Sequence, residues 1–160
     1  MSLKVLAVAV AYRRVGHVLL DGPQLLDWAV TTSVSGNATD LVAFVQEQIN
    51  ELQPGVVVTE KLDDDCKKGK SVRALIHSVA ELASHNYVLD VTVPRPRTFP
   101  SKYEEAKDLV SRHPELIGYL PERKRRFYEV EPRNMIVFEA LALAEAVISG
   151  PPEQLAAAMG

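Results

Sequence analysis

The first apolar run of the chain, Leu3 to Val10 (LKVLAVAV), is nearly unbroken and rich in β-branched valine. It is too short to span a bilayer, and its pattern predicts a strand buried on both faces at the centre of a sheet. A second run, Val15 to Leu20, follows Ala11-Tyr12-Arg13-Arg14 and stops at the turn Asp21-Gly22-Pro23. A third, Leu25 to Thr32, carries Trp28 and Val30. Three strands joined by short turns predict an antiparallel meander.

After the loop Ser35-Gly36-Asn37 the period changes from two to that of a helix. Leu41, Phe44, Val45, Ile49 and Leu52 share one face of a helix capped by Asn37 or Thr39 and ended by Pro54-Gly55. Gly55 to Thr59 predicts a fourth strand, which follows a helix and so is expected parallel to the first. The charged loop Glu60 to Lys70 (EKLDDDCKKGK) leads to a helix capped by Ser71 and running to about His85. Asn86 to Val93 predicts a fifth strand, stopped by Pro94 and Pro96. Ser101 caps a short helix to Arg112, with Tyr103, Ala106, Leu109 and Val110 inward. Pro114 to Arg133 has weak periodicity and is expected as a long exposed loop with one helical turn. Asn134 caps the last helix, Met135 to Ser149, which is apolar almost all round and therefore expected deep against the sheet. The pattern is thus α/β: a five-stranded mixed sheet, three antiparallel strands then two parallel, flanked by helices. One domain over residues 1–150 and a tail over 151–160 are expected.

Composition adds bounds. The hydrophobic content of 47% and charged content of 24% are ordinary for a globular domain. Cys66 is the single cysteine, so no internal disulfide can form, which fits a reducing cytoplasm. No secretory leader or membrane span is expected. The net charge of −3 is unevenly spread: residues 94–133 carry 10 basic and 7 acidic side chains, whereas 134–160 carry 3 acidic and none basic. This local positive stretch on an acidic chain matters for partners more than the total does. No P-loop, nucleophile elbow or dinucleotide fingerprint occurs, and His17, His77, His85 and His113 lack zinc spacing with Cys66. His77 and Glu81 read as a surface pair one helical turn apart.

The order of elements, together with several local matches, resembles the ribonuclease H-like superfamily, and within it the RuvC-type Holliday-junction resolvases. The likeness covers roughly residues 4–148 and is strongest over VLAVAVAYRRVGHVLL, Val5 to Leu20, beside the family's I-L-G-I-D strand, glycine-containing turn and T-G-Y-G-V-I strand. Trp28 suits the third strand. Glu60 stands where the family places a catalytic Glu at the end of its fourth strand. Phe138 to Ala144 (FEALALA) resembles the final helix, D-A-L-A-x-A, with Glu139 at an acidic position. Two departures accompany these matches. Ala9 occupies the position of the first-strand Asp, and Ile136 that of a second acidic residue on the final helix.

The resemblance implies a nuclease that uses Mg²⁺ or Mn²⁺ to activate water, acts on structured DNA or RNA and works as a homodimer. Mg²⁺ takes oxygen ligands, and an alanine methyl supplies none. Glu60 and Glu139 are therefore the candidate catalytic and metal-ligating residues of a degenerate site. Three basic groups are the candidate phosphate-binding residues: Lys67, Lys68, Lys70 and Arg73; Arg95, Arg97 and Lys102; and Arg123, Lys124, Arg125 and Arg126. Phe127 and Tyr128 could stack on an unpaired base or anchor their loop. The residues leave three readings open: a nucleic-acid-binding protein with little or no cleavage, a metal-dependent nuclease using Glu60 and Glu139, and a protein-interaction module that kept only the fold.

Overall fold

A computed structural model describes residues 3–32, 36–64, 66–95, 99–124, 126, 128, 129 and 131–149. The expected tail, 151–160, lies outside the described residues, as do Asp65, Arg97, Arg125 and Phe127.

The first three strands are β1 (Lys4–Ala11), β2 (Arg14–Asp21) and β3 (Gln24–Thr31). They form the expected meander, with Val5 opposite Leu20 and His17 opposite Ala29. Helix α1 (Ala38–Leu52) leads to β4 (Val56–Glu60), and α2 (Lys70–His85) to β5 (Leu89–Val93). Both of these strands run parallel: β4 pairs with β1, and β5 with β4. The sheet order is β3-β2-β1-β4-β5. Central β1 is buried on both faces, with Val5 to Val10 at most 2% exposed, because helices cover both sides.

Alternation along the strands separates two cores. Val5, Ala7, Ala9, Val56 and Val58 face α3 (Lys102–Arg112) and α4 (Met135–Ser149). Leu6, Val8, Val10 and Val57 face α1 and α2 on the other side. The composition of α4 explains its depth: all residues from Met135 to Ala144 are buried, which is where a helix apolar on every side must go. Arg112 and His113 at the end of α3 both reach Glu145 of α4, at 2.5 and 2.8 Å. That bond holds the Arg112 guanidinium above its ordinary pKa.

Several local expectations change. Asn37, not Thr39, caps α1 by accepting from the Thr39 backbone N–H at 2.7 Å. Helix α2 begins at Lys70 behind an extended Gly69 without any side-chain cap, so Ser71 sits inside the first turn. Strand β5 begins at Leu89 rather than Asn86, because Asn86 ends α2 and Tyr87 turns the chain at φ 58°. Pro114–Tyr119 is a 3₁₀ helix, anchored by the fully buried Leu116. On α3, Tyr103 is only half-buried; Glu105 is buried beside Ala106 and Leu109 instead.

Candidate functional site

The site lies where the parallel strands end. Alternation carries Glu60, the last residue of β4, onto the α4 face already occupied by Val56 and Val58. Arg95 follows Val91 and Val93 toward the same face, and Ala11 does so at the end of β1. Glu139 points in from the second turn of α4, and Glu105 from the first turn of α3. The five residues line one cleft of about 600 Å³. Carboxyl ends of parallel strands are the usual place for such a cleft, since the loops that leave them diverge.

The segment between β4 and α2 delivers Lys68 into the carboxylates. Its ammonium lies 2.6 Å from Glu139 Oε2 and 3.5 Å from Glu60 Oε1. It also donates to the Val10 carbonyl at the end of the central strand. At 3.5 Å the Glu60 contact is one of charge, and Glu60 Oε1 accepts no hydrogen bond from the described residues. Arg95 takes the other side of the cluster, with one guanidinium nitrogen 3.2 Å from Glu139 Oε1 and the other 2.9 Å from Glu105 Oε1. The three carboxylates are 6–7% exposed and the two cations 15–16%. Three buried negative charges would repel strongly; Lys68 and Arg95 compensate two of them. The Glu105 carboxyl is still pushed above its ordinary pKa, chiefly by burial, with Arg95 pulling the other way. Burial likewise pushes up the Cys66 thiol, which sits beside Glu60.

The segment is itself fixed. Arg73 donates to the carbonyls of Asp63 and Cys66 at 3.2 and 3.4 Å, and the Cys66 N–H donates to the Asp63 carbonyl. Lys68 therefore does not hang from a free loop.

Of the basic residues singled out in the sequence, Lys68 and Arg95 face carboxylates and Arg73 faces backbone carbonyls. Lys102 pairs with Glu131 at 3.0 Å, and Arg123 with Glu129 at 2.8 Å. Lys67, Lys70 and Lys124 are exposed and form no ion pair among the described residues; Arg126 donates to the Tyr128 hydroxyl at 2.7 Å. Arg97 and Arg125 lie outside the described residues. A second cavity of about 440 Å³, lined by Arg123, Lys124 and Arg126, shares Ser101, Lys102, Glu131 and Met135 with the first. The two make one groove from Lys67 to Lys124.

These positions can be set beside known proteins. No family model and no curated protein matches the chain. Solved structures do. Thermus thermophilus RuvC in complex with a Holliday junction substrate aligns over 89% of this chain and 90% of its own, with a TM-score of 0.58 at 15% identity. The chain has the ribonuclease H-like fold. Fowlpox virus resolvase, in complex with Holliday junction DNA, aligns over 92% of this chain and 99% of its own, with a TM-score of 0.56 at 11% identity.

The resemblance read from the sequence implies a divalent metal at this site, and the residues here fit that poorly. On the cleft face of β1 the side chains are Ala7, Ala9 and Ala11; Ala11 lines the cleft, and Ala9 is sealed in the core. At the other expected acidic position, Ile136 is 3% exposed. Among the described residues no three His, Cys, Asp or Glu side chains converge to hold an ion. Sequence reasoning missed Glu105, although an acidic residue beside the apolar stripe of α3 was a visible signal. It also missed Glu131, whose carboxylate meets Lys102 and Arg14.

Proposed function

We propose that this protein binds branched or otherwise structured DNA and does not cut it. The observation that carries the reading is the groove itself. Its inner end holds carboxylates beside Lys68 and Arg95, while its rim presents Lys67, Lys124 and Arg126, whose side chains have no carboxylate partner among the described residues, and Lys70 is exposed next to the lining residue Gly69. Exposed cations along a groove suit a phosphate backbone, and the counterions they release make binding salt-dependent. Lys102 and Arg123 add to the rim but share their charge with Glu131 and Glu129. Tyr12, 70% exposed, and Phe99, 38% exposed, line the inner groove and offer faces on which an unpaired base could stack. The resolvases of like fold in complex with Holliday junction DNA support the choice of a branched duplex. A homodimer, implied by the resemblance to the resolvases alone, is part of the proposal.

Purified protein incubated with a four-way junction, a flap, single-stranded DNA and an RNA–DNA hybrid, with and without Mn²⁺, tests this. A retarded junction that stays intact is the expected result. Cleavage that Glu60→Gln abolishes would instead make the protein a metal-dependent nuclease. Neither shift nor cleavage at low salt would favour a protein-interaction module.

A further inference from the structure

We infer that the Lys68 ammonium is the permanent cation of the Glu60–Glu139 site, standing where a divalent metal would otherwise have to bind. Three oxygens surround this ammonium: it donates to Val10 O and Glu139 Oε2, and Glu60 Oε1 lies 3.5 Å away as a contact of charge. They come from β1, β4 and α4, so one side chain ties together the three elements whose junction forms the cleft. The remaining Glu139 oxygen is held by Arg95. A metal entering here would have to expel Lys68, compete with Arg95 for Glu139 and find alanine side chains on β1 in place of a carboxylate. Mg²⁺ needs a near-octahedral shell of oxygens at about 2.0–2.1 Å, and the site does not supply one. Arg73 holds the Asp63 and Cys66 carbonyls of the segment that carries Lys68. The inference does not depend on nucleic-acid binding.

The test uses the full chain, with Mn²⁺ alone as the probe. Mn²⁺ uptake is followed by water-proton relaxation and thermal unfolding by circular dichroism, for the wild type, Glu139→Gln, Lys68→Ala, and Lys68→Ala combined with Glu139→Gln. The wild type is expected to keep the same Tm in millimolar Mn²⁺ and in EDTA. Lys68→Ala should unfold lower by roughly 6–20 °C, the effect of leaving buried carboxylates uncompensated in a domain of this size. Millimolar Mn²⁺ should restore part of that loss, and Glu139→Gln should remove the restoration, which separates this site from adventitious ones such as His77–Glu81. Wild-type Mn²⁺ uptake that Glu139→Gln abolishes would overturn the inference, and this measurement decides alone should Lys68→Ala fail to fold. An unchanged Tm in Lys68→Ala, or a loss that Mn²⁺ leaves untouched, would overturn it as well.

Discussion

Gly16 of β2 lies so close beneath α4 that a methyl group on it would stand 2.7 Å from the Ile136 carbonyl oxygen. The obstacle is helix backbone, which cannot rotate aside. Ile136 is one turn before Glu139, so this contact sets the height of Glu139 over the sheet. Gly16→Ala is expected to lift the start of α4 and to destabilise the protein by about 1–3 kcal/mol, the usual cost of overpacking a core. Urea denaturation of the variant checks this. Stability within error of wild type would show that α4 is free to slide.

Arg95 bridges Glu139 and Glu105, the only described link between α3 and the inner carboxylates. Removing it leaves buried Glu105 without a counter-charge and Glu139 with Lys68 alone. Arg95→Met is expected to cost about 3–5 kcal/mol, far more than Lys67→Met on the exposed rim, which should stay within about 0.5 kcal/mol. Adding Glu105→Gln to Arg95→Met should recover part of the loss, because it removes one stranded charge. A double-mutant cycle by chemical denaturation measures the coupling, and strict additivity would show that the pair contributes nothing of its own.

Much of the architecture was legible in the hydrophobic pattern. The runs that became β1 and α4 have nowhere to go but the interior, and the turn signals around them fixed the meander. The inner site was legible only in part. Glu60 at the end of β4 and Glu139 in the second turn of α4 are aimed inward by alternation and helical period. In EKLDDDCKKGK, however, nothing distinguishes Lys68 from Lys67 or Lys70. What separates them is that Lys68 alone of the three meets Glu139 and Glu60 among the described residues, contacts between distant parts of the chain that leave no mark in composition. The same holds for Arg95, which the sequence shows as one more cation beside a proline. Charge count therefore overstated the number of cations available to a ligand, because it could not see which carboxylate each would meet.

Asp90 of β5 gives a pH signature. Burial pushes its carboxyl above the ordinary value of 3.8, opposed by the charge of His77, and its Oδ1 is buried with no hydrogen-bond partner among the described residues. With its pKa raised in the folded state, the native protein binds more protons than the unfolded chain between the two values. Stability from this group therefore falls as pH rises from about 4 through the folded pKa, and then levels. Asp90→Asn removes the titration. It is expected to be stabilising at neutral pH and progressively less so toward pH 4, as read from Tm across that range. A stabilisation that grew toward acid pH would contradict the sign.

The rim of the groove yields the last prediction. Lys67 and Lys124 line its two ends, and neither forms an ion pair among the described residues, so each can meet a phosphate without first breaking one. Lys68 cannot, being held by Glu139 and the Val10 carbonyl. For duplex arms, each phosphate neutralised adds about 0.9 to the slope of log affinity against log salt, so Lys67→Gln and Lys124→Gln should each reduce that slope by about 1 for a four-way junction. Lys70, exposed at the start of α2 next to the lining residue Gly69, should behave alike. Because these side chains touch phosphate rather than base edges, affinity should fall nearly equally for junctions of different sequence. Fluorescence anisotropy of labelled junctions over a salt series measures both quantities. A wild-type slope near zero would remove the groove from consideration as a DNA surface, and unchanged slopes in all three variants on a steep wild-type background would move the interface elsewhere on the molecule.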